Sequence, residues 1–338
     1  MRRALPFLLR RLVLLVPLLF VVALGTFVLL RLGGQDPSAM LAGPTATADE
    51  IARLRAQYGL DRPLPVQFLI WLGRVLNGDL GHSWISNRPV LAELVDRAPA
   101  SLELLVLGVL IGALVGVPVG LISALRRGRG FDHAARLISL LGFSVPTYFL
   151  GLALLLIFFY VLEWAPPGMG RLSLMLDPPP RVTGSFLLDA LFAGRWETAQ
   201  SAAAQLVLPV ASIAILCAAP IIAQTRAIAL SVLSSPPIAY AEAQGLPPRT
   251  IARIALRNAA TPVVTFIGAE LVGLVGSGSL IEYVFAWGGT GQFGLDAIVK
   301  GDFAVVQGYV LLLAVFSVVV FLAVDLLVLV LEPRAGRA

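Results

Sequence analysis

The sequence predicts an all-α integral membrane protein with six transmembrane helices and both termini in the cytoplasm. Three observations carry that prediction. Of the 338 residues, 58% are hydrophobic and only 13% are charged, about half the charged fraction of a soluble domain. The apolar residues gather in six runs, about 12–30, 102–125, 137–162, 206–223, 261–280 and 308–331, each close to the roughly 20 residues that cross a bilayer. With the N-terminus inside, the inner segments hold 14 arginines and only three acids, Asp132, Glu242 and Glu332. That asymmetry is the one expected of cytoplasmic segments.

Residues 1–31 form a basic leader, with Arg2, Arg3, Arg10 and Arg11, and the first span. The apolar run is too long for a secretory signal and ends in no small-x-small cleavage site, so it is read as retained. Residues 32–100 are polar and mixed, and form an external subdomain. Within it, 47–60 starts with Thr and acids as a helix should, 65–76 is amphipathic, 77–83 is a turn, and 89–105 leads into the second span. Residues 101–331 are a five-helix transmembrane core that includes a Pro- and Gly-rich loop at 163–204, and 332–338 are a cytoplasmic tail. Trp71, Trp84, Trp164 and Trp287 fall in the outer loops or near the outer interface. Pro118, Pro146, Pro209 and Pro220 lie in or near spans, where proline is ordinary. The sequence contains no evident internal repeat.

Between the fourth and fifth spans lies the polar stretch 234–262. Ser234 and Ser235 are cap residues, and Pro236 and Pro237 suit a first helical turn. Gly245 suits the left-handed position that closes a helix. A second helix then starts at Pro247-Pro248, with Ile251, Ile254 and Ala255 on one face and Arg249, Arg253 and Arg257 on the other. Taken by itself, the stretch is either a membrane-surface loop or a helix that docks a soluble partner. Ala239, Ala241 and Ala243 would admit a close backbone, and the arginine row would also suit anionic headgroups.

Several functions are excluded or disfavoured. Lys300 is the single lysine and follows Val299, so no Gly-Lys phosphate loop is present and the chain lacks that ATP site. Cys217 is alone, so no internal disulfide forms. His82 and His133 fall on opposite sides of the bilayer and cannot share a metal. No histidine lies in a span to serve as a base for an intramembrane hydrolase. Glu270 and Asp325 lie in apolar runs, where a carboxyl faces a bundle interior. Each is either a polar group on a substrate path or a structural hydrogen-bonding group. An autonomous channel or secondary transporter is the alternative reading, though such proteins often show inverted repeats or more midplane charges.

Nearly the whole chain resembles the permease subunits of the dipeptide/oligopeptide/nickel group of ATP-binding-cassette importers. The resemblance rests on TFVLLRLGGQDPSAMLAGPTATADEIARLRAQYGLDRPLPVQFLIWL (26–72), NGDLGHS (77–83), the stretch 117–152, EYVFAWGGTGQFGLDAIVKGDFAVVQG (282–308) and DLLVLVLEPRAGR (325–337). It implies a type I importer permease fold in the bacterial cytoplasmic membrane. It identifies 234–262 as the "EAA" coupling loop, whose helix at about 236–245 docks on an ATPase subunit.

Ala239, Tyr240, Ala241, Glu242, Ala243, Gly245, Leu246 and Arg249 are then the coupling residues. Leu256, Arg257, Asn258 and Pro262 match the second half of the loop. Glu242 and Gln244 stand where the peptide-importer subgroup usually has Arg and Lys, and GGTG (288–291) replaces Pro-Gly-x-Gly. The implied partners are a second homologous permease forming a heterodimer, two ATPase domains that hold ATP and magnesium, and an extracytoplasmic binding protein. This chain itself would bind no cofactor and no nucleic acid, and would catalyse no reaction.

Overall fold

The computed structural model describes residues 4–32, 38, 46–57 and 59–331. The tail at 332–338, Arg2 and Arg3, and the side chains of Arg10 and Arg11 lie outside the described residues. The described chain is helical, and its only β pairing is an isolated bridge between His82 and Pro89. The helices are α1 (Ala4–Leu32), α2 (Ala48–Gln57), α3 (Leu64–Leu76), α4 (Val90–Leu125), α5 (Gly130–Ser144), α6 (Thr147–Leu154), α7 (Phe186–Phe192) and α8 (Trp196–Leu233), then α9 (Pro236–Ala243), α10 (Pro248–Val284), α11 (Thr290–Lys300) and α12 (Phe303–Leu331). α6 runs on into a π-helical segment, Leu155–Val161.

Four of these, α4, α8, α10 and α12, are long and apolar enough to cross a membrane, and the bent pair formed by α5 and α6 with its π segment makes a fifth. The first apolar run lies in α1, whose apolar part is Val16–Leu32. The chain folds as two compact units, one built on Pro99–Gln292 and the chain from Val319, the other on Leu5–Ala98 and Phe293–Val318.

In the larger unit the core lies around α8. Ile213, Cys217 and Ile221 are fully buried there against Leu104, Leu105 and Val109 of α4 and Leu274 and Ile281 of α10. The close approach of α4 to α8 depends on glycines four residues apart. A Cβ at Gly108 would sit 2.4 Å from Ile213, at Gly112 2.1 Å from the Cys217 sulfur, at Gly116 2.7 Å from Ile221, and at Gly120 2.7 Å from the Ile222 carbonyl. Small residues on one face let two membrane helices pack backbone to backbone. Pro118, Pro209 and Pro220 lie inside α4 and α8 without ending either helix.

The apolar run 137–162, expected as one span, is not a single helix. It breaks at Val145 and Pro146, and the two halves diverge by 102°. Pro146 offers no amide donor, and a residue before proline is pushed to extended backbone. Val145 has that geometry, at φ −85° and ψ 122°.

The long loop 163–204 is tied down by polar groups. Arg171 donates to the Gly184 carbonyl (2.6 Å), lies 3.6 Å from Glu103, and stacks over Phe186 (4.0 Å). Ser185 donates to Glu103 (2.6 Å). Asp189 accepts from the Thr183 amide and hydroxyl and from the Gly184 amide. Burial opposes its charge, but these donors outweigh burial and hold its carboxyl below the ordinary range.

The GGTG turn wraps a second buried carboxylate. Glu282 accepts from the Gln292 amide (2.9 Å), and a Cβ at Gly289 would come within 2.4 Å of its oxygen. Trp287 is fully buried and donates to the Ala100 carbonyl (3.0 Å).

In the smaller unit, Phe27, Phe68 and Trp71 pack ring to ring between α1 and α3. Val90, Leu94, Ala297, Val305, Val306 and Tyr309 form its core. Thr47 and Glu50 form the reciprocal cap expected at the start of α2, amide to carboxylate at 2.8 Å and amide to hydroxyl at 3.4 Å. Glu93, itself buried, bridges Arg88 and Arg97 at 3.0 Å each.

Candidate functional site

α9 is the element that the stretch 234–262 predicts, and its boundaries follow from local chemistry. Ser235 takes the N-cap position with extended backbone, and prolines fill the first turn. The capping hydroxyl, however, is not used. The Ser235 Oγ donates back to the Val232 carbonyl of α8, and the Ser234 Oγ donates to the Ser231 carbonyl (3.0 Å). The two serines therefore close α8 rather than open α9.

The far end is closed as expected. Gly245 has φ +72°, its amide donates to the Glu242 carbonyl (2.9 Å), and the Leu246 amide donates to the Ala241 carbonyl (3.2 Å). That pair of bonds is a Schellman closure.

Two faces of α9 differ. Ile238 and Ala241 are buried against the chain, while Tyr240 is 67% exposed. Ala239, Glu242, Ala243 and Gln244 are exposed as well. Tyr240 and Gln244 are joined on the outer face, amide nitrogen to phenol oxygen, at 2.7 Å. Of the three alanines, Ala241 therefore serves packing within the chain, and Ala239 and Ala243 remain on the accessible surface.

α10 begins at Pro248 and continues to Val284 without interruption. The second helix of the loop and the fifth apolar run, read separately from the sequence, are one rod that carries Pro262 within it. Ala255 and Ala259 are buried on its inner face. Arg249, Arg253 and Arg257 are exposed on the other face.

The sequence reading missed what fixes the last third of α8, the helix that leads into α9. Asp132, 1% exposed, accepts from the Ser123 hydroxyl (2.6 Å) and the Gly128 amide (2.9 Å). It also accepts both nitrogens of a forked Arg226 contact, Nε at 2.5 Å and Nη2 at 3.0 Å. One carboxylate thus joins the end of α4, the start of α5 and the last third of α8. Arg226 precedes Ser235 by nine residues, about 14 Å along a helix. In the sequence both residues counted only toward topology. The available signal was one acid within the arginine-rich turn 126–136.

Glu270 on α10 and Asp325 on α12 are half-buried. Glu270 makes no hydrogen bond or ion pair with a described residue. No group of three metal-ligating side chains occurs among the described residues.

Family profiles match both parts of the chain. The profile described as "Binding-protein-dependent transport system inner membrane component" covers residues 116–337, and the corresponding N-terminal profile covers residues 4–105. The chain belongs to this family. It is a multi-pass inner-membrane permease, one component of a transport system with other subunits.

Its curated relatives align end to end. The probable D,D-dipeptide transport system permease protein DdpB of Escherichia coli is 40% identical over 92% of both chains. The dipeptide transport system permease protein DppB of the same organism is 39% identical over 98% of both. The di/tripeptide transport system permease protein DppB of Pseudomonas aeruginosa is 37% identical over 98% of both.

Proposed function

We propose that this permease forms half of the pore of an ATP-driven importer for dipeptides or short oligopeptides. The observation that carries the substrate class is full-length similarity to permeases named for dipeptides and di/tripeptides. On this reading a second, homologous permease completes the pore. Two ATPase domains bind ATP and magnesium on the cytoplasmic side, and an external binding protein delivers the peptide. The chain crosses the membrane six times with both termini inside, and catalyses no reaction itself.

α9 is the docking element. Its accessible residues, Ala239, Tyr240, Glu242 and Ala243, meet the ATPase, with Gly245, Leu246 and Arg249 shaping the end of the surface. Ala241 holds the helix to its own chain. Closure of the ATPase pair moves α9, and α8 passes that displacement to the helices packed on it. The movement is a rigid-body switch of packed helices. Glu270 and Asp325 are candidates for the polar lining of the path.

The test is reconstitution of the assembled transporter in proteoliposomes. Binding protein loaded with a dipeptide should stimulate ATP hydrolysis, and the same protein offered nickel chelate or a free amino acid should not. Ala243→Trp should insert normally and lose the stimulation. Full stimulation in that variant would remove α9 from the coupling role, and peptide uptake by this chain without any ATPase would favour an autonomous transporter.

A further inference from the structure

We propose that the groove between α5 and α8 binds an anionic phospholipid, with its headgroup at the 126–136 turn and an acyl chain along α5. The groove has a volume of about 530 Å³ and is lined by His133, Arg136, Leu137, Ser139, Leu140 and Phe143 of α5 and by Ile222, Ala223 and Arg226 of α8. Its long axis is graded. Arg136 and Arg226 lie at the end beside the turn, and from Leu137 onward the α5 side is apolar apart from Ser139. From 133 to 143 the helix rises about 15 Å, enough for a headgroup and the upper part of an acyl chain.

The charge balance selects the ligand. Residues 126–136 carry Arg126, Arg127, Arg129 and Arg136, and Asp132 is their only acid. Asp132 is already committed to Arg226. Arg126 lies 5.9 Å from the Phe131 ring, and none of the four arginines pairs with a carboxylate among the described residues. A turn at the end of an apolar helix, with positive charge uncompensated by the protein, attracts anionic headgroups.

The apolar half favours lipid over a second polypeptide. Helices that pack on one another in membranes present small residues. α5 turns its small residues, Ala135 and Ser139, inward, and leaves Leu137, Leu140 and Phe143 57%, 65% and 63% exposed. Large, flexible side chains suit a fluid acyl chain.

The experiment has two arms. In the first, native mass spectrometry of the detergent-purified full-length chain is titrated with phosphatidylglycerol and with phosphatidylcholine of the same acyl composition. Phosphatidylglycerol should bind at least fivefold more tightly, and Arg129→Gln/Arg136→Gln should weaken it roughly fivefold per charge removed. In the second, a photoreactive benzoylphenylalanine replaces Leu140 in the assembled transporter within vesicles of the two lipids, and should label phospholipid. Equal affinity for the two lipids, unchanged binding by the double variant, or a photoproduct with another polypeptide would overturn the proposal.

Discussion

α8 and α9 are consecutive in the chain and differ in almost every physical respect. α8 runs for 38 residues, and 67% of its most apolar stretch is buried. It is met by a glycine ladder on α4 and by the Asp132 carboxylate near its end. α9 has eight residues, is closed at Gly245, and is held to the chain by two buried residues, Ile238 and Ala241. One helix is surrounded along most of its length and the other is held along one narrow face. Neighbours along most of α8 oppose its bending. α9 itself is free to present most of its surface outward.

That contrast can be broken from the α8 side with the largest effects. Gly112→Leu places side-chain atoms where the Cys217 sulfur and the Ala214 carbonyl already lie. Overpacking of this kind should cost about 3 kcal/mol, seen as a lowered melting temperature in detergent and a low yield of folded protein. Asp132→Ala leaves Arg226 without its partner. Arg226 keeps 20% side-chain exposure, so the loss should be about 2 kcal/mol, below that of a fully buried pair. Thermal unfolding of Asp132→Ala, Arg226→Ala and the double variant measures it, and strict additivity of the two single changes would refute a direct coupling.

Changes in α9 should be milder for stability and selective for function. Gly245→Ala forces a left-handed backbone on a residue with a Cβ, at about 1 kcal/mol. The cost is local, so the melting temperature should barely move while stimulated ATP hydrolysis falls several-fold. Tyr240→Ala removes an exposed ring and should alter stability by less than about 0.5 kcal/mol. A fall in stimulated hydrolysis with unchanged melting would mark Tyr240 as a docking residue. If Tyr240→Ala instead unfolds the protein, the division between the two helices is wrong.

The sequence made the ends of α9 legible because proline and glycine act through their own backbone geometry. The Thr47–Glu50 cap was legible for the same reason, being complete within four residues. The apolar runs located the membrane helices, but not the break at Pro146. Pro17, Pro99, Pro118, Pro209, Pro220 and Pro262 all lie inside helices without ending them, and only the surrounding packing sets Pro146 apart. The Asp132–Arg226 pair joins residues 94 apart in sequence, and no local pattern identifies such a partner. The glycines at 108, 112, 116 and 120 recur every four residues but went unread, because the helix that fills their groove is not written beside them. The hydroxyls of Ser234 and Ser235 misled because a serine at a junction can bond to either helix.

The glycine ladder also limits where anything can leak. Between α4 and α8 the two backbones come so close that even a methyl group would collide with the opposing helix. A file of water needs more room than that, so at these four levels the seam leaves no space for water between the two helices.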